Sequence, residues 1–118
     1  MIIYDRAIAL DPKNAKIHSN RGALLADLGR NDEALVAYDR AIALNSKTAS
    51  IHSNRAIVLF KFGRMSDALD AYDRAIALDS KDATYHYNRG VVLQRLGRIR
   101  DAEASFNEAR RLDPAKYK

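Results

Sequence analysis

The heptapeptide YDRAIAL stands at residues 4–10, again at 38–44 and again at 72–78, and FNEARRL at 106–112 is a worn fourth copy. The starts lie 34 residues apart each time. A second phrase, His-x-Asn-Arg, begins at His18, His52 and His86, and a third ends in Gly-Arg at Gly29-Arg30, Gly63-Arg64 and Gly97-Arg98, on the same interval. Three phrases locked to one period define a repeat protein, in which each unit is one supersecondary element that buries its apolar face only by stacking on its neighbours.

Each unit reads as helix, short turn, helix. Residues 15–28 contain no Pro and no β-branched run, and Ile17, Leu24, Leu25 and Leu28 recur at helical spacing. Gly29 follows, where a helix end enters the left-handed region that glycine adopts without a Cβ penalty. Asn31 or Asp32 is then placed to cap the second helix, whose Ala34, Leu35, Tyr38, Ala41 and Ile42 again fall three and four apart. Asp11-Pro12, Asn45-Ser46, Asp79-Ser80 and Asp113-Pro114 break the chain between units. The expected map is a lone helix over 2–10, then pairs at 15–28/32–44, 49–62/66–78 and 83–96/100–112.

The composition agrees. With 47% hydrophobic and 30% charged residues in 118, the chain is supplied for both a core and a surface, and it has no Cys for a disulfide or a thiolate metal site. No apolar run reaches the ~18–20 residues of a membrane span, and residues 1–6 (MIIYDR) lack the basic start and long apolar stretch of a secretory signal. The expectation is a cytoplasmic, or at least intracellular, protein. A net charge of +5 is too mild to announce a nucleic-acid binder by itself.

A 34-residue helix–turn–helix unit of this kind resembles the tetratricopeptide repeat. The family's small residue matches at Gly22, Ala56 and Gly90, and its Ala-then-aromatic pair at Ala34/Tyr38, Ala68/Tyr72 and Ala102/Phe106, followed by Ala41, Ala75 and Ala109. Its Trp is replaced by His18, His52 and His86, and its Tyr by Leu25, Leu59 and Leu93. The resemblance implies an all-α superhelix, a solenoid of antiparallel helix pairs. The units are then 15–48, 49–82 and 83–116, preceded over 1–14 by the second helix of a partial unit. Glu103 and Arg110 stand where the earlier units have Leu35/Ile42 and Leu69/Ile76, which suggests that the third unit ends the array. At the other end, Ile3, Tyr4 and Ala7 would face a missing first helix, so the chain reads as a fragment of a longer array. Ile8 and Leu10 are then expected to hold the lone helix onto the next one.

The residues point away from catalysis. His18, His52 and His86 sit one per unit, about 8–10 Å or more apart by helix spacing, too far to share one zinc at ~2.1 Å per ligand. They read as substitutes for the family's aromatic. Arg21, Arg55 and Arg89 are expected to lay their stems on apolar surface and pair with Asp5, Asp39 and Asp73. No activated nucleophile or carboxylate pair stands out, so the chain is read as no enzyme and as needing neither cofactor nor metal.

What remains is a row of amides. The resemblance implies that the first helix of each unit lines a concave groove, into which Asn20, Asn54 and Asn88 look. Such a row, similar to the asparagine ladder of O-linked N-acetylglucosamine transferases, can pair with the backbone of an extended peptide. Ser19, Ser53, Ile57, Phe60, Tyr87, Val91 and Gln94 are expected around it, as an apolar strip beside a largely neutral face. The family's clamp for chaperone carboxylate tails uses Lys, Asn, Asn, Lys and Arg; those positions here are Ser19, Ala23, Asn54, Thr84 and Asn88, so its cations are missing. The favoured reading is therefore a protein–protein interaction scaffold whose groove binds a peptide or helix of a protein partner. The alternative is a structural self-association module of a larger protein, including one that carries an enzyme elsewhere, with weak dimerisation through Ile3, Tyr4 and Ala7. RNA binding is disfavoured, because much of the Arg occupies turn and framework positions such as Arg30, Arg64 and Arg98.

Overall fold

Gly29, Gly63 and Gly97 decide where each first helix stops. All three have positive φ, between 76° and 78°, and no other residue among those described does. At the first turn the Gly29 N–H donates to the Ala26 carbonyl at 3.0 Å and the Arg30 N–H to that of Leu25 at 2.8 Å. These two bonds satisfy carbonyls that the helix end would otherwise leave open. The same pair closes the turns at Gly63/Arg64 and Gly97/Arg98.

A computed structural model describes residues 2–10 and 12–118, without the side chains of Ile2, Tyr4 and Ala9. Among the described residues there are seven α-helices and no strand: α1 (Ile2–Leu10), α2 (Ala15–Asp27), α3 (Asn31–Leu44), α4 (Ala49–Lys61), α5 (Met65–Leu78), α6 (Ala83–Arg95) and α7 (Ile99–Leu112). The sequence-based map is right to within one residue at each boundary. The pairs α2/α3, α4/α5 and α6/α7 stack in order along a body of 46 × 25 × 23 Å. The fold is an all-α superhelix of antiparallel pairs.

One expected cap is corrected. Arg30 is the N-cap of α3, with no side-chain cap bond, and Asn31 already lies inside the helix. The turn is too short to leave Asn31 or Asp32 in the extended conformation that capping requires. Arg30 instead holds the first turn from outside, its Nε 2.9 Å from Glu33, and Arg64–Asp67 and Arg98–Asp101 repeat the device. Side-chain capping does occur at the starts of α2 and α6, where Asn14 Oδ1 accepts from Ile17 N–H at 3.3 Å and Asp82 Oδ1 from Thr84 N–H at 2.9 Å, while Thr48 makes no such bond at α4.

Within a pair the helices meet at the small residues. The nearest side chain to Gly22 is the ring of Tyr38, which an added Cβ would approach to 3.0 Å, and at Gly90 a Cβ would stand 2.6 Å from Phe106. Ala34, Ala56, Ala68 and Ala102 are buried at the same crossings, with Leu25, Leu59 and Leu93 filling the layer between.

Between units, polar side chains tie each turn to the next helix. His18, His52 and His86 each bring Nε2 to within 2.8–2.9 Å of a carbonyl six residues earlier, that of Pro12, Ser46 and Ser80. A carbonyl only accepts, so Nε2 carries the proton and donates. Arg21, Arg55 and Arg89 reach back 16 residues to Asp5, Asp39 and Asp73, at 3.0, 2.8 and 2.6 Å, as the sequence leads one to expect.

The first helix departs from expectation. Leu10 is 87% exposed and Ile8 only half-buried, so Leu10 does not hold α1 onto α2. Of the residues expected to face outward, Ile3 is 80% exposed and Ala7 is half-buried, while the side chain of Tyr4 lies outside the described residues.

Candidate functional site

The first helices α2, α4 and α6 carry their His-x-Asn-Arg phrases at equivalent positions, and Asn54 and Asn88 line cavities along one face, whereas Asn20 lines none of them. Three cavities follow that face. The first, about 160 Å³, lies between Ala23, Ala26 and Asp27 of α2 and Asn54, Ile57 and Lys61 of α4, with Tyr38 at its floor. The second, about 340 Å³, repeats it one unit on, with Phe60 and Lys61 opposite Asn88 and Val91, over Tyr72. The third, about 800 Å³, joins Tyr87, Asn88, Val91 and Gln94 of α6 to Phe106 and Arg110 of α7. Residue 57 follows 23, and 91 follows 57, by the 34-residue period, so the first two cavities are copies of one site, and the third shares only part of it.

The asparagines differ in how they are held. Asn88 and Tyr72 line one cavity together, from one unit to the next. Asn54 and Tyr38 line one cavity in the same relation. The residue in that relation to Asn20 is Tyr4, whose side chain lies outside the described residues. Asn20 is exposed, and Asn54 and Asn88 are half-buried.

Tyr38 and Tyr72 are the residues that sequence reasoning missed here. It took them as core aromatics, and they are indeed buried, but each also lines one of the cavities. Burial pushes each phenol up to about 12, helped at Tyr38 by the negative charge of Asp27 and offset at Tyr72 by the neighbouring Asn88 amide. Both stay neutral donor–acceptors far above neutral pH. The third copy is Phe106, which has no hydroxyl.

Among the other expected groove residues, Ile57, Phe60, Tyr87, Val91 and Gln94 line the cavities. Ser19 is half-buried and lines none of these three. Ser53 is a correction: it is 5% exposed, enclosed in the stack rather than presented to a ligand. The expectation of a neutral face is also corrected. Positions 27, 61 and 95 carry Asp27, Lys61 and Arg95, so the charge changes sign along the groove. Arg95 lies over the Phe60 ring at 5.3 Å, a cation–π contact. Arg110, Lys116 and Lys118 add to the basic end, against Glu103.

The three histidines are each committed to a different backbone carbonyl, consistent with a structural strap. Among the described residues no helix is long and apolar enough to cross a membrane.

Family models described as tetratricopeptide repeats match residues 3–36, 24–63, 58–97 and 83–116. No curated protein matches the sequence at a significant level. Among solved structures, MamA superposes with a TM-score of 0.90 at 23% identity, over 94% of this chain and 65% of its own. The present chain thus spans just under two thirds of MamA. The Arabidopsis OM64 TPR domain superposes with a TM-score of 0.82 at 25% identity, over 86% of this chain and 84% of that one. The second TPR of Spaghetti (RPAP3), solved with an HSP90 peptide, gives 0.82 at 26% identity, over 89% of this chain and 98% of its own.

Proposed function

The chain belongs to the tetratricopeptide repeat family, and from that premise we propose that it is a protein-interaction module whose groove takes an extended segment of a protein partner. The observation that carries the proposal is the row of period-matched cavities, in which an Asn amide recurs beside a buried Tyr hydroxyl. Hydrogen bonds from the amides fix the partner's backbone, and the pockets at Ile57, Phe60 and Val91 take its side chains. The peptide held by the structurally similar RPAP3 domain supports a peptide occupant. Its terminal carboxylate would be recognised differently here, since Ser19, Ala23 and Thr84 supply none of the clamp cations. The basic end at Lys61, Arg95 and Arg110 suits acidic side chains in the bound segment.

Display selection of peptides against the intact chain supplies a ligand. Replacing Asn20, Asn54 and Asn88 together with Ala should weaken it by one to three decades, at ~0.5–1.5 kcal/mol per lost bond. The melting temperature should fall only modestly, through loss of the Asn88 amide beside the buried Tyr72. Unaltered affinity would make the amides a merely solvated row.

A second reading rests on Ile3, whose 80% exposure leaves an apolar side chain on the open edge of α1. Weak two-fold pairing of identical first helices would cover it. Sedimentation at high micromolar concentration should then show a dimer that Ile3→Asp abolishes; a monomer at all concentrations refutes it.

A further inference from the structure

After α7 the chain turns back onto the face that α6 presents. Asp113 nucleates the turn: its Oδ1 accepts from the Lys116 N–H at 3.3 Å and its carbonyl from the Tyr117 N–H at 3.1 Å. The turn delivers Tyr117 onto Tyr87, with ring centroids 4.9 Å apart and planes inclined by 24°. The Tyr117 hydroxyl lies 3.2 Å from Thr84 Oγ1, and Tyr87 meets Phe106 at 5.3 Å on its other side. Three rings therefore line one wall of the 800 Å³ cavity, next to Asn88 and Val91. Even so, Tyr87 remains 40% exposed.

We propose that residues 113–118 are a built-in occupant of an aromatic subsite at this end of the groove, so that Tyr117 fills the place on Tyr87 and Phe106 that an aromatic side chain of a bound segment takes. The proposal rests on the groove reading and adds to it a ligand class and a competitor. The energetics suit a reversible occupant. An offset aromatic pair gains only about 0.5–1.5 kcal/mol beyond its area, and ordering the connecting residues opposes it. Tethering compensates, because a short linker gives the ring an effective concentration of millimolar order. If the docked form outweighs the open one by about ten to one, an incoming aromatic residue binds about tenfold more weakly than it would to the vacant subsite.

The probe is the segment itself, the synthetic hexapeptide DPAKYK, titrated into the full chain and into its Tyr117→Ala and Tyr117→Phe variants, with side-chain NMR signals as readout. In the parent chain, cross-relaxation between the Tyr117 and Tyr87 rings should be present. Its absence overturns the proposal whatever the variants do. In Tyr117→Ala the Tyr87, Val91 and Phe106 signals should move, and the peptide should return them towards their parent positions. It should bind that variant about tenfold more tightly than the parent. Tyr117→Phe keeps the ring and should behave as the parent. A peptide with Ala in place of its Tyr should leave the signals alone. Equal binding of DPAKYK to parent and Tyr117→Ala, or no binding to that variant, would make Tyr117 a structural plug and refute the idea of a competitor. The groove reading is tested separately, by the asparagine variants with Tyr117 intact.

Discussion

The middle pair α4/α5 and the last pair α6/α7 share a backbone plan but solve its packing differently. Where the middle pair has Ala56 beneath Tyr72, the last has Gly90 beneath Phe106; where it has Ala71, the last has the buried Ser105. Ser53 is enclosed, whereas Tyr87 at the same position is open and is met by Tyr117. Removing the Tyr hydroxyl from position 106 takes a polar group out of the groove. Ser105 places one inside the pair, where Arg89 satisfies it at 2.7 Å. The lesson is that the period fixes which positions touch, while the residue chosen at one of them constrains its neighbours.

The largest effect should come from the crossing. Gly90→Leu forces a side chain into the space of the Phe106 ring, which even a Cβ would approach to 2.6 Å. Thermal unfolding should show a loss of roughly 1–3 kcal/mol. A neutral outcome would mean that Phe106, half-buried beside the open cavity, swings away, and that the last pair is the looser of the two.

Arginine removal should separate the pairs next. Arg55→Ala breaks an ion pair with the exposed Asp39, worth about 0.2–1 kcal/mol. Arg89→Ala breaks the equivalent pair with Asp73 and also removes the donor to the buried Ser105 hydroxyl, adding about 0.5–1.5 kcal/mol. Denaturant unfolding of both variants, with Ser105→Ala as the partner in a double-mutant cycle, tests the difference. Equal losses would show that Ser105 finds another partner.

The smallest contrast near neutrality appears only in alkali. Tyr38 and Tyr72 have folded values of about 12 against 10 for the free phenol, so between those limits the unfolded chain gives up protons that the folded chain keeps. Stability is therefore fully present below pH 10 and is lost as the pH climbs towards 12. A Tyr38→Phe/Tyr72→Phe double variant should lose less stability than the parent over that interval, while Phe106 contributes nothing to it. Parallel curves would show that the hydroxyls are better solvated than their burial implies.

The fold was legible because its signals are local and repeated. A left-handed glycine every 34 residues and a small residue facing a ring need no knowledge of distant contacts. The groove was only half legible. Asn54 and Asn88 are where the helical offset puts them, but Ser53 has the same offset as Tyr87 and is enclosed, because burial depends on what the rest of the stack places above it. The place of Tyr38 and Tyr72 beside the cavities was not legible, since a ring at a core position says nothing about which cavity it borders. The sign change from Asp27 to Lys61 was readable from spacing alone.

Substantial contacts among the described helices run from each to the next, and beyond that only from α2 to α4. Nothing spans the body from one end to the other, so the chain resembles a row of magnets more than a keystone arch. Its melting should begin by peeling from the ends, where α1 packs most lightly, and travel inward unit by unit. Amide exchange would then be slowest in α4 and α5, and the groove would be most rigid at Asn54 and most yielding towards its rims.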